Sequence, residues 1–222
     1  MENKATGIIL VAGNSTRYNK KINKNLDKIN NKPVLLYSLE VFLNNKHIDE
    51  IIIVCKKEEQ DKILKILPND SRIRLTTGGK ERKDSVYNAL KIATNEIVVI
   101  HDGARPLIKD SYINNCLREI KKHDGCTIGV KTKDTIKIVD KNNIVIETTK
   151  RSDTYQIQTP QCFNKNILKE LHEKNRSDDI TDDCMLLERS SYDIKVIEGD
   201  YTNIKVTTKE DLDIAKLFID KG

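Results

Sequence analysis

Apolar runs of four or five residues recur along the chain, and longer polar-apolar segments lie between them. The first, Ile8-Ile9-Leu10-Val11-Ala12, empties into a polar loop that opens with Gly13 and Asn14. Continuous runs of this kind read as strands buried on both faces of a parallel sheet. Ile51 to Cys55, Ile73 to Thr76, Ile97 to Ile100 and Cys126 to Val130 repeat the pattern. After Pro33, the residues Leu35, Leu36, Leu39, Phe42 and Leu43 fall at helical spacing, so a helix is predicted from about Pro33 to Asn45. Further helices are predicted over Glu58 to Leu67, from the glycine turn of Thr77 to Val86 on through Leu90 and Ile92, and over Tyr112 to Lys122. Strands alternating with helices predict an α/β fold with a mostly parallel, doubly wound, twisted sheet flanked by helices.

The rhythm breaks after Val130. Asp134 to Val139 and Ile144 to Thr149 alternate around a turn at Asp140 to Asn143, the signature of a β-hairpin. A two-stranded ribbon is marginal alone, so this arm, at about residues 132–152, calls for cover from another chain. Tyr155 to Phe163 returns to the body. Thr181-Asp182-Asp183 is read as the start of a helix through Leu187, its acids favoured by the helix dipole, and Thr207 with Glu210 as the cap of the last helix.

Bulk properties narrow the picture. The 222 residues suffice for one core, so a single domain over 1–222 is expected, and the apolar runs are far too short for a membrane span. The N-terminus enters the first strand without a signal-peptide pattern, which predicts a cytoplasmic protein. The five cysteines are scattered without metal spacing and read as reduced core fillers. A net charge of +5 without basic-aromatic interleaving argues against nucleic acid and for a small anionic ligand.

Three stretches carry candidate chemistry. From Asn14 to Lys32 the loop holds Arg17, Lys20, Lys21, Lys24, Lys28 and Lys32 against Asp27 alone, at the sheet edge where α/β proteins bind ligands. Phosphates suit such a loop. It lacks G-x-G-x-x-G, which disfavours a dehydrogenase, and there is no P-loop. Gly78-Gly79 before a helix permits close approach of a ligand to backbone amides, or is a plain strand-to-helix turn with Ser85 near its cap. Asp102 ends an apolar strand beside the basic loop, where a magnesium ion bridging phosphates needs a carboxylate; a turn cap is the alternative. His101 reads as a packed strand-end residue.

Leu10-Val11-Ala12-Gly13-x-x-x-Arg17, Lys24 seven residues on, and Asn31-Lys32-Pro33-Val34-Leu35 resemble the signature of sugar- and polyol-phosphate nucleotidyltransferases. With Gly78-Gly79-x-x-Arg82-x-x-Ser85-Val86, His101-Asp102-Gly103-Ala104-Arg105-Pro106 and Gln158-Thr159-Pro160-Gln161, the chain is similar to the 2-C-methyl-D-erythritol 4-phosphate cytidylyltransferase family of isoprenoid precursor synthesis. It departs from that family's pattern in Ser15 for a loop glycine, Asn23-Lys24-Asn25 for Pro-Lys-Gln, and Asn31 for the glycine before Lys-Pro.

The resemblance implies a Rossmann-like domain and a cytosolic homodimer clasped through the arm, with CTP and the polyol phosphate as substrates and Mg²⁺ as cofactor. It implies catalytic roles for Arg17, Lys24 and Lys205, and a nucleotide pocket of Val11, Ala12, Gly13, Gly79, Lys80, Arg82 and Ser85. Polyol-phosphate contacts would come from Asp102, Arg105, Thr135, Arg151, Thr159 and Lys205, with Asp102 also the metal ligand and Thr135 and Arg151 serving the partner's site. A ribitol-5-phosphate cytidylyltransferase and a catalytically silent nucleotide-binding module are the alternatives.

Overall fold

The first apolar run forms β1 (Ala5–Leu10), an interior strand of the sheet. The structure is a computed structural model that describes residues 4–14, 18, 23–175 and 180–221. In chain order follow a short ladder of β2 (Lys28–Ile29) and β3 (Lys32–Pro33), then α1 (Val34–Asn44) and β4 (Ile48–Cys55). Next come α2 (Gln60–Leu64), β5 (Ile73–Thr77), α3 (Arg82–Leu90), β6 (Ile97–Asp102), α4 (Asp110–Glu119) and β7 (Gly125–Lys131). The arm is β8 (Lys137–Val139) and β9 (Val145–Thr148), after which β10 (Tyr155–Asn164), α5 (Lys165–Lys174), α6 (Cys184–Glu188), β11 (Ile194–Glu198) and α7 (Lys209–Lys221) complete the chain.

The seven-stranded sheet has the order β11-β7-β10-β6-β1-β4-β5. β1 runs parallel to β4 and β6, β4 to β5 and β7 to β11, while β10 lies antiparallel between β6 and β7. Chain order reverses at the β1–β6 pair, where Leu10 registers with Asp102. Ligands bind at such a switch point, outside the carboxyl ends of the strands.

Alternation along the strands sends neighbours to opposite faces, which is why these runs are apolar throughout. Ile9, Ile53 and Val99 pack with Leu35, Leu39 and Phe42 of α1 and Ile113 of α4. Ile8, Ile52, Val98 and Ile100 pack on the other face with Val86 of α3, Leu168 of α5 and Leu187 of α6. The five cysteines are free and buried, as the sequence predicts.

Local chemistry corrects several boundaries. Asn30 and Asn31 join β2 to β3 with φ of 51° and 65°, a left-handed pair that asparagine tolerates where glycine is usual. The helix expected over Glu58 to Leu67 is a 3₁₀ turn at Lys57–Glu59 and the single turn of α2. The last helix is capped one residue later than the sequence predicts: Thr208 and Asp211 exchange backbone-to-side-chain hydrogen bonds at 2.9 and 3.3 Å. Helix α5, capped by Asn164, and strand β11 lack a counterpart in the sequence reading.

Candidate active site

The carboxyl ends of β1 and β6, the Gly78-Gly79 turn and the segment before α7 enclose a cavity of about 300 Å³. Ala12, Gly13, Gly79, Lys80, Arg82 and Ser85 of the predicted nucleotide pocket line it, with Lys24, Asp102 and Lys205. Val11 stands behind the wall: its N–H donates to Val54 O at 2.8 Å and its carbonyl accepts from Asn23 Nδ2 at 2.9 Å. Arg17, Lys20 and Lys21 lie outside the described residues.

The glycine turn is built tightly. A Cβ on Gly78 would stand 2.4 Å from Ala12 Cβ, and one on Gly79 2.1 Å from Asp84 Cβ, so side chains are barred from both. Ser85 Oγ accepts from Gly79 N–H at 3.0 Å and donates to Glu81 O at 3.1 Å, so its hydroxyl holds the turn rather than capping α3. Closure of the helix start comes from Glu81 N–H to Asp84 Oδ2 at 2.9 Å.

Asp102 is the electrostatic centre. Lys205 Nζ lies 2.7 Å from its Oδ2, with Arg105 Nε 3.7 Å from the same oxygen and Arg82 Nε 3.7 Å from Oδ1. Burial works against the carboxylate's charge, but Lys205, Arg82 and Arg105 outweigh it and hold Asp102 well below the usual carboxylate range. Arg82 also reaches Asp183 Oδ2 at 2.6 Å, and Asp183 Oδ1 meets His172 Nε2 at 3.1 Å. Asp183 is fully buried, and breaking such a pair costs about 3–5 kcal/mol because one charge is left uncompensated. Of the two acids read as structural at the start of α6, only Asp183 departs from the expected role. Asp182 caps α6 by accepting from Met185 N–H at 3.1 Å, while Asp183 anchors the arginine.

Behind this cluster lies a second cavity of about 450 Å³. Arg82, Asp102 and Lys205 line both cavities, so cations and one carboxylate form a shared wall. Arg105 and Thr159 face only the second, joined by Gln158, Gln161, Asp182 and Glu188, which the sequence reading did not assign to a site. Arg105 is held by a hydrogen bond to Asn203 O at 2.7 Å, and Val206 N–H to Ala104 O at 2.8 Å fastens the Lys205 segment beside it. Thr135 and Arg151 hydrogen bond to each other at 3.1 Å on the exposed arm, and neither is among the residues lining these cavities.

The model of the family described as IspD, 2-C-methyl-D-erythritol 4-phosphate cytidylyltransferase, matches residues 6–221. The chain belongs to this family. A cytidylyltransferase of that name from Caldanaerobacter subterraneus subsp. tengcongensis is 40% identical over 97% of this chain and 99% of its own length. Its namesake from Clostridium botulinum strain 657 is 40% identical over 96% of each. Among solved structures, the 4-diphosphocytidyl-2C-methyl-D-erythritol synthase of Anaerococcus prevotii superposes with a TM-score of 0.89 at 32% identity, covering 99% of this chain and 97% of that one. Against the pattern of the cytidylyltransferase family, Asn23 and Asn25 stand out as substitutions, and the structure gives them work. Asn23 Nδ2 bonds Val11 O at 2.9 Å and Glu59 Oε2 at 2.7 Å, and Asn23 Oδ1 accepts from Asn25 N–H at 3.0 Å, framing Lys24 from both sides.

Proposed function

We propose that the chain transfers the cytidylyl group of CTP to 2-C-methyl-D-erythritol 4-phosphate, giving 4-diphosphocytidyl-2-C-methyl-D-erythritol and pyrophosphate for isoprenoid precursor synthesis. The observation that carries the reading is the shared wall: two cavities meet at Asp102, Arg82 and Lys205, so two anionic substrates can be brought together across it. The nucleotide takes the cavity with the glycine turn, and the polyol phosphate takes the one with Arg105. A phosphate oxygen of the polyol attacks the α-phosphorus, the bond to the β-phosphate oxygen breaks, and pyrophosphate leaves with the electron pair. The attacking phosphate is already ionised at neutral pH, so no side chain has to remove a proton. Lys24 on the nucleotide side and Lys205 on the shared wall offset negative charge at the reacting phosphorus and leaving group, with Arg17 added by the family resemblance alone; positioning and preset charge do the catalysis.

The donor set fits magnesium carried in on the nucleotide. Among the described residues no cluster of three or more His, Cys, Asp or Glu could cage a metal. On the wall shared by the two cavities Asp102 supplies the carboxylate, with Oδ2 taken by Lys205 and Oδ1 contacted at 3.7 Å by Arg82. One carboxylate with phosphate oxygens and water is a common magnesium site, and an ion held by Asp102 would supply positive charge to offset that of the phosphates. No helix among the described residues is long and apolar enough to cross a membrane.

The reading extends to a homodimer that exchanges arms. Ile136, Ile138, Val139, Ile144, Val145 and Ile146 are 37–66% exposed on the ribbon, an apolar surface that a second copy can cover. Thr135 and Arg151, paired on that arm, would then bind the phosphate in the partner's second cavity. Pyrophosphate release from CTP with Mg²⁺ tests the activity with each polyol phosphate in turn. Release with 2-C-methyl-D-erythritol 4-phosphate well above that with ribitol 5-phosphate is expected; equal or faster release with ribitol 5-phosphate, or none with either, would overturn the assignment.

A further inference from the structure

His101 lines neither cavity, yet it sits fully buried one residue from the central carboxylate. Two of three linked contacts run through it. The Asp102 N–H donates to Thr159 Oγ1 at 3.1 Å, Thr159 Oγ1 lies 2.9 Å from His101 Nδ1, and His101 Nε2 lies 3.2 Å from Arg105 O. A carbonyl oxygen can only accept, so Nε2 carries a hydrogen. Nδ1 of that tautomer is an acceptor, and the Thr159 hydroxyl is its donor. The threonine oxygen keeps a lone pair for the Asp102 amide. Read this way, every group in the chain of contacts is satisfied, and its direction runs from Asp102 through Thr159 to His101 and on to Arg105.

We infer that His101 is a positioning residue for the proposed transfer reaction, its Nε2–H tautomer clamping the Asp102–Arg105 turn between Thr159 and the Arg105 carbonyl. The turn carries two groups of the cluster, the Asp102 carboxylate and the Arg105 guanidinium. It is closed on its own backbone by Arg105 N–H to Asp102 O at 3.0 Å, and the Arg105 carbonyl takes a second bond from Ser38 Oγ at 3.1 Å. The ring thus stands beneath the turn and fixes its height above the sheet, while Thr159 ties the same turn to β10. A buried polar chain satisfied at every member rigidifies what it touches. The inference also gives the Thr159 hydroxyl a place inside the protein, where it holds Asp102.

Two substitutions separate the ends of the clamp. In His101→Gln the amide nitrogen can reach the Nε2 position and keep the bond to Arg105 O, while the acceptor for Thr159 is lost. In His101→Asn the amide oxygen can reach the Nδ1 position and the bond to Arg105 O is lost. Each variant is expected to lower kcat/KM for the polyol phosphate, at saturating CTP, by up to about 10²-fold through misplacement of the Asp102–Arg105 turn. The Kd for CTP, measured by calorimetry without the polyol or Mg²⁺, should change much less, because the glycine-turn wall of the nucleotide cavity does not rest on this turn. Wild-type kcat/KM in both folded variants would overturn the inference, as would a parallel collapse of CTP binding.

A measurement on the unaltered protein guards against variants that fail to fold. With ¹⁵N-histidine labelling, the two-bond correlations of His101, distinguished among the four histidines, should show hydrogen on Nε2 and a hydrogen-bonded Nδ1 acceptor. Hydrogen on Nδ1 alone would overturn the clamp. The inference rests on the cytidylyltransferase reading only for its kinetic arm. A wild-type protein that does not turn over the polyol phosphate would fail that reading, and the nitrogen spectrum would still decide the tautomer.

Discussion

The end of β6, within the sheet, and the arm formed by β8 and β9, outside it, are stabilised in opposite ways. At the strand end, Asp102 meets three cations, its amide is bonded to Thr159, and the supporting Arg82 is anchored on the fully buried Asp183. On the arm, Lys137–Val139 and Val145–Thr148 are exposed along their whole length. The ordered features there are local, chiefly the turn in which Asp140 Oδ1 accepts from Asn142 and Ile144 N–H at 2.9 and 2.8 Å. One region is complete within the chain and preset for charge; the other leaves apolar area in water that another surface can remove. Preset dipoles and charges are what phosphoryl-transfer chemistry requires. An exposed apolar ribbon is what the proposed exchange of arms requires.

The contrast can be sharpened from the strand end outwards. Lys205→Met keeps the aliphatic stem and removes the charge nearest Asp102. Turnover measured by pyrophosphate release should fall by about 10²–10³-fold, the usual cost of losing one group that stabilises developing charge. A fall below tenfold would take Lys205 out of the reacting centre.

A smaller effect is expected on stability. Burial lowers the His101 imidazole from 6.5 to about 4, so between those values the unfolded chain binds a proton that the folded chain does not. Stability from this group is whole above pH 6.5 and declines as the pH falls towards 4. Denaturant unfolding at pH 7 and pH 5 should show the wild type losing about 2 kcal/mol more than His101→Gln over that interval. Equal losses would contradict the buried neutral ring.

The arm should respond in the reverse sense. Ile144 and Ile146 are 64% and 66% exposed, so the double change to serine should alter the stability of the isolated chain by no more than about 0.5 kcal/mol. Sedimentation velocity should nevertheless show a shift from dimer to monomer. An unchanged dimer would remove these side chains from the interface.

Legibility in the sequence followed the same division. Buried parallel strands announce themselves as continuous apolar runs, and the arm as alternation about a polar turn, so β1, β4, β6, β7 and the ribbon were readable. Strand β11, Ile194-Lys195-Val196-Ile197-Glu198, sits at the sheet edge with partly exposed positions, and its mixed pattern carries little signal. Helix α5 spaces Ile167, Leu168 and Leu171 among lysines and glutamates and is held by packing against α3 and α6. Within the site, the acid at a strand end pointed to Asp102, the basic loop to Lys24 and the family resemblance to Lys205, all of which line the first cavity. Partnerships formed by folding were not readable. Arg82 and Asp183 are 101 positions apart, and the sequence around each fits an ordinary helix start. His101 looked like strand-end packing because its partners are a backbone carbonyl of the local turn, which any residue offers, and a hydroxyl that only the antiparallel return of β10 brings close.

The claim that the chain completes its active site only with a second copy has a direct test in mixed dimers of Lys24→Ala with Arg151→Ala. If each centre takes Lys24 from one chain and Arg151 from the other, a mixed dimer holds one centre with both lesions and one with neither. Random re-annealing of the two inactive variants makes about half the dimers mixed, so CTP-dependent pyrophosphate release should recover to about a quarter of wild type. If Arg151 serves its own chain, every centre keeps one lesion. Absence of recovery, with mixed dimers confirmed by mass, would contradict the shared site.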